Sequence, residues 1–195
     1  RRDVEASAAE LTAALKRMEA ALAADDVGPA SDLAEQVVER LEALEDPHHG
    51  GFGAAPKFPP HETLRLLLAQ PGERRLELAL RVLRAMARGG IRDQLGGGFA
   101  RYAVDAEWRV PHFEMMLYDN AAMLRNYATA YSRSGDHHLR DVAYGIVGWL
   151  QDALAFDPDA DGRPLGARAP RRGGEGGGLP QEVGFFSALD ADQQG

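Results

Sequence analysis

The chain has 195 residues, 45% of them hydrophobic and 27% charged, which is enough for one compact domain with a core. Its 30 acidic and 22 basic residues give a net charge of -8, which argues against a general nucleic-acid or anionic-membrane binder, since both need a basic face. With no cysteine there is no disulfide, thiolate metal site or thiol nucleophile, and no apolar run approaches the roughly 18 residues of a transmembrane helix.

The opening RRDVEASAAEL has neither an initiator Met nor the apolar core of a signal peptide, so a cytoplasmic piece of a longer protein is expected. Helix one is predicted from about Val4 to Ala24, with Leu11, Leu15, Met18 and Leu22 on one stripe. After Gly28-Pro29, helix two spans about Ser31 to Glu45, with Ser31 as N-cap and Leu33, Val37, Leu41 and Leu44 as its stripe. Helix three covers His61 to Ala69. Helix four covers Glu73 to Arg88, turns Leu76, Ala79, Leu80, Leu83 and Met86 inward, and stops at Gly89-Gly90. Helix five runs from about Phe113 to Ser132. Helix six follows an Asp136 N-cap and reaches about Ala155 on Leu139, Val142, Ile146, Leu150 and Leu154. No strand pattern beyond brief alternation in Gly-rich loops is present.

A repeat runs through these elements. Gly50-Gly51-Phe52 follows helix two, Gly97-Gly98-Phe99 follows helix four, and Val183-Gly184-Phe185-Phe186 follows helix six. The unit is helix, helix, Gly-Phe loop. Helices two and four are charged, whereas three and five are poor in charge and are expected to be buried on most sides. Alternating outer and inner helices joined by Gly-rich loops is the pattern of a ring of α-hairpins. Residues 157–182, dense in Gly, Pro, Asp and Arg, read as a flexible insertion. Asp157, Asp159, Asp161 and Gly162 match the first half of a calcium loop, but its twelfth position is Arg168 instead of Glu.

Three blocks carry a resemblance over residues 50–195: GGFGAAPKFP, GGIRDQLGGGFARYAVDAEWRVPHFEMMLYDNA and GFFSALDAD. Together they resemble the YyaL and spermatogenesis-associated protein 20 group of thioredoxin-domain-containing proteins. Met115 stands where that pattern has Lys, Ala103 where it has Ser, and Leu189 where it has an acid. The resemblance implies an all-α fold. It is a partial (α/α)6 toroid of the six-hairpin glycosidase type, similar to N-acylglucosamine 2-epimerase, with residues 1–195 supplying about three of six hairpins. The thioredoxin-like domain of the family is absent from this chain.

In such a toroid the Gly-rich loops gather at the mouth, over a cavity lined by inner helices. Sugar sites there need aromatic faces and acids or amides for hydroxyls. Trp108 and Phe99 are expected as platforms, Tyr102 and Arg101 as donors, and Asp190 and Asp192 as further contacts. His112, Glu114 and Asp119 are the candidate catalytic groups. Related epimerases use paired histidines and related glycosidases use carboxylates. One histidine beside clustered acids favours acid chemistry through Asp119 or Glu114. Each residue also has a plainer reading. Glu114 caps a helix, Asp119 ties a loop to helix five near Asn126, Trp108 fills the core, and Lys57 anchors a loop to a carboxylate. The pairs His48-His49 and His137-His138 read as turn residues, and no metal or cofactor is expected. The expectation is a carbohydrate-active barrel of epimerase, isomerase or glycosidase type acting on a small carbohydrate. The alternative is a non-catalytic binding or scaffold module. An open half-ring is further expected to self-associate through its uncovered apolar strip.

Overall fold

The computed structural model describes residues 10–17, 30–156, 164 and 183–189. Its contacts divide the chain into two compact units, Arg1–Arg40 and Leu41–Gly195. In the first, residues 10–17 are helical (α1) with Leu11 and Leu15 exposed; the rest of predicted helix one, including Met18 and Leu22, lies outside the described residues. Helix α2, Ala30–Leu44, begins one residue before the expected Ser31 cap.

The second unit is built on α3 (His61–Ala69), α4 (Glu73–Arg88), α5 (Leu117–Ser134) and α6 (His137–Trp149), followed by a π-helical turn at Leu150–Leu154. Helix α5 packs against α6, α3 and α4. The core between them comes from Leu64, Leu67 and Leu68 of α3, Leu78, Leu80, Val82, Leu83 and Met86 of α4, Met123 and Tyr127 of α5, and Leu139, Val142 and Ile146 of α6. Tyr127 is fully buried, and its hydroxyl donates to the Leu83 carbonyl at 2.8 Å. Gly135, at φ 71°, closes α5 in the left-handed conformation, and Asp136 then caps α6 by accepting from the His138 amide at 3.0 Å. The other Asp136 oxygen takes two bonds from Arg84 of α4, at 3.0 and 2.9 Å, and that guanidinium holds the carboxyl below its ordinary range.

Two expectations are corrected. Helix α5 starts at Leu117 instead of Phe113, because the preceding residues are extended and paired. Tyr102–Ala103 (β1) lies antiparallel to Pro111–His112 (β2), and Met115–Met116 (β3) takes its partner from residues near the end of the described chain. Nor is α5 buried on most sides. Tyr118, Ala121, Arg125 and Ala128 lie on one exposed stripe, because α3, α4 and α6 cover only the other side. Among the described residues the strands are all two residues long and form three two-stranded antiparallel sheets. The last strands are Ala155–Phe156 (β4), Gly184–Phe185 (β5) and Ala188–Leu189 (β6), with β4 on β5 and β3 on β6.

The sequence repeat is a structural repeat. In DPHHGGF the Asp46 amide donates to the Gly51 carbonyl and the Gly50 amide to the Asp46 carbonyl, both at 2.9 Å. In DQLGGGF, Asp93 makes the same two bonds with Gly98 and Gly97, also at 2.9 Å. Asp46 Oδ1 accepts the amides of His48 and His49, and Asp93 Oδ1 those of Leu95 and Gly96. Each turn brings the Gly-Phe loop antiparallel to the chain that leaves the helix before it, pairing Glu45 with Phe52 and Arg92 with Phe99. The third copy keeps the pairing, as β4 on β5, but replaces the short turn by the insertion. His48 and His49 are thus turn residues, as expected.

Lys57 joins the first loop to the second. Its backbone exchanges two hydrogen bonds with Ala103, at 2.8 and 2.9 Å. Its ammonium is buried and donates to Asp46 Oδ2 at 2.7 Å, to the Gly50 carbonyl at 2.9 Å and to the Ala106 carbonyl at 2.8 Å. It lies 5.3 Å from the centre of the Trp108 ring. Gly51, at φ +85°, must be glycine here, since a Cβ would come within 2.6 Å of that ring.

Replacing Lys57 by Ala leaves the Asp46 carboxylate and two carbonyls without their donor. A loss of about 3–5 kcal/mol is expected in denaturant unfolding. For Asp46, burial pushes the carboxyl up, but the bonds from Lys57, His49 and His48 outweigh it and hold the group well below its ordinary 3.8. The folded state therefore gains stability from ionised Asp46 above about pH 4 and loses it as pH falls further. Asp46→Asn should be less stable than the parent at neutral pH and lose less stability on acidification, as followed by circular dichroism.

Candidate functional site

The first turn of α5 carries two buried polar residues, Asp119 and Asn120. Asn120 locks the second Gly-Phe loop. Its Oδ1 accepts from the Phe99 amide at 2.7 Å, and its Nδ2 donates to the carbonyls of Phe99 and Met116 at 3.0 Å each. Asp119 instead faces α3, where Oδ1 meets His61 Nε2 at 3.0 Å. The side chains are nearly closed to solvent, at 17% for His61 and 6% for Asp119. One turn further on, Asn126 Nδ2 donates to the His61 carbonyl at 3.0 Å and fixes the first residue of α3. The N-terminal end of α5 favours negative charge on Asp119.

Three atoms here are buried with no partner in the protein: His61 Nδ1, Asp119 Oδ2 and His112 Nδ1. Such atoms are rare in a folded interior, and each calls for a physical explanation, an ordered water among them. When Asp119 is ionised and His61 neutral, the carboxylate only accepts, and Nε2 of the imidazole carries the proton toward Asp119. Its Nδ1 is left with a free lone pair.

Beside this pair lies a second one. Arg101 Nη1 donates to Glu114 Oε2 at 3.0 Å, and the Arg101 amide to the Glu114 carbonyl at 2.9 Å. The bond from Glu114 raises the Arg101 guanidinium above its ordinary range, with Tyr118 and then Asp119 contributing electrostatically. Glu114 precedes α5, so it is an ion-pair partner and not a helix cap. Over the same loops runs a stack of three rings: Phe58 on Tyr102 and Tyr102 on His112, each with centroids 4.7 Å apart.

Of the residues singled out in the sequence, Asp119, Glu114, Arg101, Tyr102 and His112 lie on these adjoining loops and the first turn of α5. Trp108 and Phe99 are corrected. Trp108 is 1% exposed, and its indole N–H donates to the Gly50 carbonyl at 3.1 Å. Its φ of 64° is held by that burial and by the bond its carbonyl accepts from the Ile91 amide. Phe99 is wholly buried against Tyr127, with ring centroids 5.5 Å apart. Neither offers a face to a ligand. Asp190 and Asp192 lie outside the described residues, as do Asp157, Asp159 and Asp161. The chain just before Asp190 is placed: β6 pairs with β3, and the Ser187 carbonyl accepts from the Leu117 amide at 2.9 Å.

His61 and Phe58 were missed. Both follow the first Gly-Phe loop, and His61 opens the charge-poor helix three, much as Asp119 lies at the start of helix five. That symmetry was the available signal. His61→Ala should leave Asp119 without its hydrogen bond and cost about 1–3 kcal/mol in denaturant unfolding.

No family model matches the chain. Among curated proteins it is similar to spermatogenesis-associated protein 20 of Homo sapiens at 38% identity and of Rattus norvegicus at 36%. Each match covers 83% of this chain and 23% of the relative. The Mus musculus protein is 37% identical over 74% of this chain and 20% of its own length. The chain thus spans less than a quarter of these relatives. Among solved structures, a sugar epimerase from a ruminal bacterium superposes with a TM-score of 0.55 at 17% identity, covering 62% of this chain and 35% of that one.

Proposed function

From its homology to the spermatogenesis-associated protein 20 family of thioredoxin-domain proteins with an epimerase-like barrel, we propose that this chain is part of a carbohydrate-active helical barrel of epimerase or isomerase type. Its site is formed at the Gly-rich loops. The observation that carries this reading is the nearly closed His61–Asp119 pair, with an unpartnered atom on each residue.

Epimerisation beside a carbonyl requires a proton to leave carbon and return on the other face. A neutral imidazole with its orientation set by a carboxylate is suited to take such a proton. In this reading His61 is the base and Asp119 orients it; His61 Nδ1 is buried in this structure, so a sugar reaches it only when the α3–α5 junction opens. The exposed edge of the Phe58–Tyr102–His112 stack covers the apolar face of the sugar, and Arg101 with Glu114 binds hydroxyls. Glu114 is committed to Arg101, which favours proton exchange at carbon over hydrolysis by a pair of carboxylates.

The test is proton exchange in the full-length protein. Aldoses and N-acylhexosamines are incubated in D2O, and loss of the C2 proton signal is followed by NMR. Enzyme-dependent exchange is expected, with His61→Asn and Asp119→Asn slower by about 10²–10⁴-fold. Undiminished exchange in His61→Asn removes His61 from the chemistry. Sugar binding by calorimetry without any exchange favours a non-catalytic binding module.

A further inference from the structure

A cleft of about 510 Å³ lies along the last turns of α4, between the Asp46–Gly50 turn and Gly89-Gly90. Its volume suits a small molecule. Neither His61, Asp119, Arg101 nor Glu114 lines it.

Four arginines do, in a chain of net charge -8: Arg81, Arg84, Arg88 and Arg109. Arg81 is committed to Glu45, with bonds of 2.9 and 2.6 Å, and Arg84 to Asp136. Arg88 and Arg109 are exposed, and their side chains make no ion pair or hydrogen bond among the described residues. Three carboxylates face the same space. Glu45 is neutralised by Arg81, and Asp46 by the buried Lys57 ammonium, which leaves Glu107, with Asp105 beside Arg109, against two guanidiniums that make no ion pair.

The walls are fixed. A Cβ on Gly90 would overlap the Arg109 carbonyl, so the two backbones are in close contact. Asp105 accepts the amides of Arg109 at 3.0 Å and of Val110 at 2.6 Å, which sets the point from which Arg109 projects. Opposite, Asp46 holds the His48 and His49 amides. Guanidinium groups match phosphate oxygens in planar, paired hydrogen bonds. The backbone from which Arg109 projects is fixed, while ordering each exposed side chain on binding costs about 0.5–1.5 kcal/mol.

We propose that this cleft binds a phosphate oxyanion, either free phosphate or a phosphate monoester, through Arg88 and Arg109. The proposal does not depend on the His61–Asp119 reading.

The full-length protein is titrated by calorimetry with inorganic phosphate, with a hexose 6-phosphate and with the unphosphorylated hexose, all at matched ionic strength. At least one phosphate species should bind with a dissociation constant of about 1 mM or lower, and the hexose should not compete. The tighter of the two phosphate species identifies the source. Arg88→Ala with Arg109→Ala should weaken binding by about tenfold or more, and Arg88→Lys with Arg109→Lys by less. Neither side chain makes a hydrogen bond or ion pair among the described residues; Arg109 does act electrostatically on Asp105, and the Lys double variant keeps that charge, so it controls for the loss. Phosphate heats no larger than those of chloride, or equal affinity in the Ala double variant, overturn the proposal.

Discussion

The buried ammonium of Lys57 is the constraint on which the loop end of this protein depends. It lies in a position closed to water, yet its three hydrogen bonds reach a carboxylate and two carbonyls on separate stretches of chain. The cost of desolvating the charge is offset because every proton has an acceptor and one acceptor is ionised. Those contacts set the Asp46 turn, the Gly50–Phe52 loop and the segment leading into Trp108. Trp108 then fills the space beside Gly51, with its indole N–H on the Gly50 carbonyl. With these pieces fixed, the Lys57–Ala103 pairing joins one repeat to the next.

From that clamp the site is built outward. The second repeat presents β1, and β1 pairs with β2, so Arg101, Tyr102 and His112 are held on one short ribbon. Asn120 bonds both backbone groups of Phe99 and fixes the start of α5 beneath the ribbon. The first turns of α3 and α5 are thereby brought side by side, which places His61 against Asp119. Asn126 reinforces the same junction from below. The polar groups there are held between the first turns of α3 and α5.

The two charged regions of the second unit differ in character. At the His61–Asp119 junction, charges are few and nearly closed off, with lone pairs left unused. Along α4 the charges are many and open to solvent, and two guanidiniums remain uncommitted. A small electrostatic gain is expected from each exposed ion pair on α4, since solvent screens them. Their structural use is to tie α4 to Glu45 and to the α5–α6 turn.

The sequence by itself determined the helices and the repeat. The bounds of α3 and α4 were legible because apolar periodicity ends there at Pro-Gly and Gly-Gly, which stop helices through local backbone geometry. The Asp136 cap of α6 was legible for the same reason, and Lys57 was legible as a loop anchor to a carboxylate. The three loop-and-helix blocks were specific enough to place the family. What only the tertiary structure decided is which residues face one another. Trp108 and Phe99 have the composition of a sugar platform, but they are interior residues, because glycine backbones and Tyr127 close over them. Phe113 to Met116 have helical neighbours downstream, yet they stay extended because Arg101 and β6 offer hydrogen bonds that one more helical turn would forgo. His61 pairs with Asp119 across 58 residues of chain, and spacing along the sequence carries no information about a contact that helix packing creates.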